Sequence, residues 1–171
     1  MREGDARRRE LTDMADKQVL RDVTPEVITA ARELLAGARY GALATLAPAD
    51  GWPAATRVGL AVHEGMPLIL ISALAAHTAA LRADARCSLL IGEVPDKGDP
   101  LAFARATLKC RAVELARNEE VRTAYLRAQP KAELYVDLPD FAFMRLEVES
   151  VSYNAGFGRA YAFGRDELRG D

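Results

Sequence analysis

The chain has 171 residues, of which 50% are hydrophobic, and a formal net charge of -2. That length suits one domain with a sizeable core, and the hydrophobic content excludes an intrinsically disordered chain. The small net charge gives no reason to expect a nucleic-acid or membrane partner. The N-terminus lacks the apolar segment of a secretory signal and no apolar run is long enough to span a membrane, so we predict a cytoplasmic protein.

Cysteine and histidine are too scarce for a metal centre. The two cysteines, Cys87 and Cys110, lack metal-type spacing and lie in apolar strand patterns, which predicts buried free thiols. The two histidines, His63 and His77, are too few for a histidine-rich site. The sequence therefore predicts no metal site.

Residues 1–20 are charged and weakly periodic. We predict a solvated N-terminal tail, followed by a single domain over residues 21–171. The alternative is that Arg7–Arg9 contacts an acidic partner.

A helix is predicted directly after the tail. Thr24 is a suitable N-cap, Pro25 suits the first helical position, and Gly37 can end the helix. Residues at helical spacing form an apolar face that consists of Val27, Ile28, Ala31, Leu34, Leu35 and Ala38.

Two strands joined by a turn follow. Tyr40–Leu46 is predicted to be the first strand and Pro53–Val62 the second, with the turn sequence Pro-Ala-Asp-Gly between them. Along the second strand, one face carries Val58, Leu60 and Val62. The opposite face carries Arg57, Gly59 and Ala61, and its small residues predict room for a flat molecule to approach the backbone.

Residues 68–92 are the most informative stretch. The pattern predicts a buried strand over 68–71, a short helix over 75–83 and a returning strand over 86–91. The strong polar donors at the first junction are Ser72, His77 and Thr78. A helix N-terminus presents free N–H groups and favours a phosphate, which would make this junction a ligand site. In the alternative interpretation, Ser72 and Thr78 only cap the local turn and His77 is solvated.

The rest of the chain contains strands and a helix pair. A long strand over 104–115 has one basic face, which could contact solvent, an anion or a subunit. A helix is predicted from Asn118 to about Ala128, with a possible further turn over 131–135. The strand over 141–149 alternates clearly, and the residues predicted to face the core are Ala142, Met144, Leu146 and Val148.

The C-terminal segment carries a Gly-Phe-Gly motif at 156–158. The two glycines allow unusual backbone angles and close approach to a ligand, whereas the alternative is a tight connection with Phe157 as a packing anchor. Because the predicted strands cluster in hairpins with short turns, the element order favours an antiparallel barrel over a doubly wound sheet.

Three segments together resemble the pyridoxamine 5'-phosphate oxidase-like, FMN-binding split-barrel family. They are residues 41–62, 67–93 and 105–115, and residues 140–163 resemble the haem-utilisation flavoprotein branch of that family. The resemblance extends over about Thr24–Phe163. It implies a mainly β fold with flanking helices, a six-stranded antiparallel split β-barrel, and a homodimer with two FMN sites at the subunit interface.

The resemblance also implies cofactor contacts. The strand over 53–62 would lie along the flavin ring and phosphate, and the start of the short helix would bind the phosphate. Arg105 matches a glutamine of the family. The positions that match FMN contacts are Thr56, Arg57, Val58, Ile71, Ser72, His77, Thr78, Arg105 and Thr107. No residue is identified as catalytic, and His77 is expected to hold phosphate rather than move protons.

Two departures from the family pattern shape the functional prediction. Ala76 and His77 stand where the oxidase has an Arg-Lys pair, and no histidine follows His77 to form its Arg-x-His substrate motif. We therefore predict an FMN-binding oxidoreductase that is not a pyridoxamine phosphate oxidase. One alternative is a haem-binding or haem-degrading protein, although a C-terminal histidine that can bind haem in that branch is absent. Another is a non-enzymatic dimer with a decayed flavin site.

Overall fold

The computed structural model describes residues 20–169, and the predicted charged tail lies outside the described residues except for Leu20. The helices are α1 (Pro25–Gly37), α2 (Ala76–Ala83), α3 (Glu119–Ala128) and α4 (Arg165–Arg169), with short 3-10 helices at Pro100–Ala102 and Pro130–Leu134. The strands are β1 (Tyr40–Leu46), β2 (Pro53–Gly59), β3 (Ala61–His63), β4 (Met66–Ser72), β5 (Arg86–Ile91), β6 (Arg105–Leu115), β7 (Phe141–Asn154) and β8 (Ala160–Gly164). Within residues 20–169, no helix is long and apolar enough to cross a membrane.

The strands of residues 20–169 form one antiparallel sheet in the order β2-β1-β5-β6-β7-β4-β3, with β8 paired to β7. The strands at the two ends of this order, β2 and β3, are consecutive in the chain and are separated only by Leu60. The sheet is therefore curled, as a split barrel requires. Eight strands are present in place of the expected six, because the predicted strand over 53–62 is divided at Leu60 and β8 is added.

The main core lies inside the curled sheet. Leu43, Leu89, Leu108 and Leu146 are almost completely buried there, at 0–1% exposure. Helix α1 packs its apolar face against this core as predicted, and its most buried residues are Ile28, Ala31 and Leu35. Thr24 occupies the predicted N-cap position with an extended backbone, but its side chain makes no capping hydrogen bond.

A second core lies on the other side of β4 and β7, beneath α3. It brings Leu68, Leu70 and Phe143 of the sheet against Val121 and Tyr125 of the helix. Because β4 is buried on both sides, its sequence is a continuous apolar run and not an alternating one.

Helix α3 also occupies the small-residue face at the end of β2. A Cβ added at Gly59 would lie 2.9 Å from Tyr125 Oη, and Ala61 is buried in the second core. The prediction that Gly59 and Ala61 leave room for a flat molecule is therefore wrong, because a tyrosine of the same chain fills that space.

Strand β7 contains a bulge that the sequence did not predict. Lys109 of β6 pairs with Ser150, whereas the next residue, Cys110, pairs with Val148, so Glu149 is left over. Before the bulge the core-facing residues are Met144, Leu146 and Val148, as predicted, and after it they are Val151 and Tyr153. The one extra residue therefore changes which positions of β7 face the core.

The two cysteines are buried free thiols, as predicted. Cys87 and Cys110 lie directly opposite each other on β5 and β6. Burial raises the pKa of Cys87 to about 11 and raises the pKa of Cys110 still further. Because the thiolate is the reactive form, both side chains are protonated and unreactive at neutral pH.

We expect Cys87 and Cys110 to react slowly with a thiol reagent such as Ellman's reagent in the folded protein. A pKa of about 11 lowers the thiolate fraction at neutral pH at least about 100-fold relative to an ordinary thiol. The measurement is the labelling rate in native buffer, compared with the rate in guanidinium chloride, where both thiols should react quickly. Labelling of the native protein as fast as that of the denatured protein would contradict this expectation.

Candidate functional site

The candidate site lies where β4 ends and α2 begins. Ser72 Oγ donates a hydrogen bond to Asp140 Oδ2 at 2.9 Å and accepts one from the Leu74 N–H at 3.2 Å. Thr78, which is 1% exposed, donates its hydroxyl hydrogen to the Ser72 carbonyl at 2.6 Å. Both hydroxyls are thus bonded within the chain and cap the local turn.

Asp140 is a member of this site that sequence reasoning missed. Its carbonyl accepts the Ala73 N–H at 2.7 Å, in addition to the bond from Ser72 to its carboxylate. Arg117 holds the loop before and after it by donating to the carbonyls of Val136 at 2.8 Å and Phe141 at 2.6 Å. A carboxylate is therefore fixed beside the end of β4. No local signal identifies it, because its partners are about 70 residues earlier in the chain.

His77 lies in the first turn of α2 and is partly exposed. Its Nδ1 lies 3.0 Å from Thr56 Oγ1 of β2, a hydrogen-bond distance. Its Nε2 has no hydrogen-bond partner among residues 20–169. Burial lowers the pKa of His77 below its ordinary value. The ring is therefore neutral at neutral pH and lacks the positive charge that an imidazolium would offer to a phosphate.

The surface around His77 is apolar. Leu74 is 90% exposed, and the other exposed side chains beside it are alanines. The alanines are Ala73, Ala76 and Ala79. The exposed residues that flank His77 in sequence are thus small or apolar and carry no charge.

The two predicted cofactor arginines lie away from His77. Arg57 points to the opposite face of β2 from Thr56, and its guanidinium carbon lies 5.4 Å from the centre of the Tyr40 ring. Arg105 donates to the carbonyls of Leu101 at 3.0 Å and Phe103 at 3.2 Å. Neither arginine makes a hydrogen bond to the residues at the start of α2.

The remaining predicted site residues divide between the core and the outer face of the sheet. Val58 and Ile71 are 5% and 1% exposed and pack in the main core. Thr107 is half-buried and lies on the outer face, between Leu90 of β5 and Ser152 of β7. The structure therefore brings Thr56 to His77 and Ser72 to Thr78, while Thr107 lies with the arginines on the outer face.

That outer face is a small-residue patch, which we call the alanine patch. It is formed by neighbouring positions of β2, β1 and β5, all exposed or half-buried: Ala55, Ala42, Ala44, Ser88 and Leu90. Leu90 is 46% exposed. Arg57 and Lys109 stand at its margins.

Comparison with known sequences identifies relatives of this chain. The sequence pattern of the family described as pyridoxamine 5'-phosphate oxidase matches residues 27–155. The chloroplastic non-canonical haem oxygenase HOZ of Arabidopsis thaliana is 38% identical over 134 residues, which cover 76% of this chain and 40% of that protein. The chain thus spans about two fifths of the length of this relative.

Several solved structures share the fold of this chain. A haem-binding protein from Mycobacterium smegmatis is 31% identical and superposes with a TM-score of 0.79 over 88% of this chain and 62% of that one. A protein of unknown function from Agrobacterium tumefaciens is 33% identical, with a TM-score of 0.74 over 85% and 61% of the two chains. ChuZ of Campylobacter jejuni, at 17% identity, shares the fold with a TM-score of 0.76 over 98% and 70%. The predicted split-barrel fold is confirmed.

Proposed function

Because the chain belongs to the pyridoxamine 5'-phosphate oxidase-like family, we propose that it is a haem-binding member of that family. Two relatives at 31–38% identity support the proposal, since one is named a haem-binding protein and the other a haem oxygenase. The observation that carries it comes from the start of α2, where a phosphate of FMN was expected.

The residues at the start of α2 do not suit a phosphate. The hydroxyls of Ser72 and Thr78 are already bonded within the chain. The Asp140 carboxylate, 2.9 Å from Ser72 Oγ, would repel a second anion. His77 is neutral, since burial lowers its pKa. The side chains at the start of α2 therefore lack the positive charge and the free hydroxyl donors that favour a phosphate.

The same residues suit haem better. A porphyrin presents a broad apolar face, and the exposed alanines and Leu74 around His77 offer apolar surface to it. Haem, when bound, would supply an iron centre for ligand binding or oxygen chemistry, and this chain would orient it and limit its contact with water.

We also propose that the protein is a homodimer and that the alanine patch is its interface. The patch is uncharged and made mostly of small side chains, so two copies could approach closely across it. Exposed Leu90 lies within it and provides an apolar group for the contact. The large uncovered sheet face would be buried in such a dimer.

An FMN-dependent oxidoreductase is the second candidate. The family match favours it, and the N-terminal N–H groups of α2 could attract a phosphate if the side chains of this site rearrange on binding. Activity as a pyridoxamine 5'-phosphate oxidase is not expected, because no histidine follows His77 to hold the substrate.

The test is a pair of titrations of the purified protein, one with haemin followed at the Soret band and one with FMN followed by fluorescence quenching. We expect a saturable Soret shift with one haem per protomer, FMN binding at least about 10-fold weaker, and no pyridoxal phosphate from FMN-treated protein. Tight FMN binding without a Soret shift would favour the oxidoreductase. Binding of neither ligand would favour a dimer with a decayed site and would overturn the haem proposal.

A further inference from the structure

We propose that His77 is the axial ligand of the haem iron, that Nε2 is its coordinating atom, and that Thr56 orients the ring. This inference rests on the proposed function, because it assigns an iron ligand within the haem site proposed above. It gives His77 a role different from the phosphate contact that the sequence predicted.

The geometry of the imidazole carries the inference. Nδ1 lies 3.0 Å from Thr56 Oγ1, so the ring can donate its Nδ1–H to the threonine hydroxyl. In that tautomer the lone pair of the ring is on Nε2, which has no hydrogen-bond partner among residues 20–169. Histidines that bind metals usually donate the other ring N–H to a neighbouring group, which fixes the tautomer and the ring orientation.

The position of the ring agrees with this role. His77 is partly exposed, and its nearest exposed neighbours in sequence, Ala76 and Ala79, are too small to keep a planar macrocycle away from the imidazole. Leu74, at 90% exposure, adds apolar surface on the loop that leads into α2. A nitrogen ligand and exposed apolar residues therefore lie close together in the chain.

Among the described residues, the cysteines, methionines and tyrosines are less suitable than His77 as ligands of a haem iron. Cys87 and Cys110 are 8% and 2% exposed, and Met66 and Met144 are 0% and 3% exposed. The partly exposed tyrosines are packed against other side chains, Tyr40 against Arg57 and Tyr135 against Phe141.

The second histidine provides a matched control. His63 is also partly exposed, but it ends β3 opposite Met66 at the tight turn to β4, and its ring makes no hydrogen bond to residues 20–169. It therefore lacks both the orienting hydroxyl and the alanine-rich surroundings of His77.

The experiment compares wild type, His77→Ala, His63→Ala and Thr56→Val, each titrated with haemin after circular dichroism has shown that it is folded. The axial ligand is identified by electron paramagnetic resonance of the ferric form and by the iron–histidine stretch of the ferrous form in resonance Raman spectra. We expect His77→Ala to lose the histidine signature and at least about 10-fold in haem affinity, and added imidazole to restore the signature. Thr56→Val should keep the ligand but shift the iron–histidine frequency, and His63→Ala should match wild type.

The outcomes separate the inference from the proposed function. If wild type binds haem and His77→Ala keeps the same histidine signature, the ligand assignment is wrong while the haem proposal stands. Loss of the signature in His63→Ala would also overturn the assignment. An unchanged frequency in Thr56→Val would overturn the orienting role of Thr56. A wild-type protein that binds no haem would overturn both the inference and the proposed function.

Discussion

Replacement of Phe143 by alanine is expected to lower the free energy of unfolding by about 3–5 kcal/mol. Phe143 is 1% exposed and lies on β7 between Leu70 of β4 and Leu115 of β6. Its ring packs edge-on against Tyr125 of α3, with 5.8 Å between the ring centres. The shorter side chain would leave a cavity between the sheet and α3, and the tyrosine would lose its aromatic partner.

The measurement is urea unfolding of the two proteins at one protein concentration, since dimerisation would make stability depend on concentration. Phe143→Leu is the matched control and should lose less than half as much, because it keeps most of the buried volume. Leu134→Ala, at a position that is 86% exposed, should change stability by less than about 0.5 kcal/mol. If Phe143→Ala lay within about 1 kcal/mol of wild type, the second core would not be anchored by this ring.

Replacement of Leu90 by lysine is expected to convert the proposed dimer into monomers. Leu90 lies at the β5 edge of the alanine patch, beside Ala42 and Thr107, and the positively charged residues Arg57, Arg105 and Lys109 lie on nearby strands. A lysine there would bury one unpaired positive charge from each copy at the interface, close to other positive charges. We expect the dimer dissociation constant to rise at least about 1000-fold, which corresponds to about 4 kcal/mol.

Light scattering or analytical ultracentrifugation at micromolar concentration measures this change. Leu134→Lys is the control, because it places the same charge at an exposed leucine outside the alanine patch and should remain dimeric. A Leu90→Lys protein that is still a dimer would show that the interface lies elsewhere. A monomeric wild type would overturn the dimer proposal itself.

Local patterns predicted many elements of this fold correctly. The bounds of β1 and of the strand over 86–91 match the structure, because apolar alternation and turn residues define them locally. Helix α1 begins at Pro25 and ends at Gly37, the residues that sequence preference identified. The division of the second strand at Leu60 was not predictable, because Val58, Leu60 and Val62 alternate without interruption. The strand is divided only because the sheet curls at this point.

The strand-to-helix junction was predictable from the sequence, but the hydrogen bonds made there were not. Polar residues at a strand-to-helix junction marked Ser72, His77 and Thr78. Their partners come from distant segments, since Asp140 and Thr56 reach the junction only through tertiary packing. The same applies to Gly59, whose small size looked like space for a ligand although it accommodates Tyr125. Small residues in a sequence do not show whether a ligand or another side chain of the same protein fills the space beside them.

The bulge at Glu149 determines how the chain tolerates changes in length. Residues 150–154 of β7 pair with β8, and they present Val151 and Tyr153 to the core because the bulge absorbs one extra residue before them. Deletion of Glu149 would remove the bulge and leave Val148 and Val151 two positions apart, so the same residues would face the core and the pairing of residues 150–154 with β6 and β8 would be kept. Loss of one residue at the bulge is therefore a smaller change than loss of one residue elsewhere in β7, where the core residues on one side of the deletion would turn towards solvent.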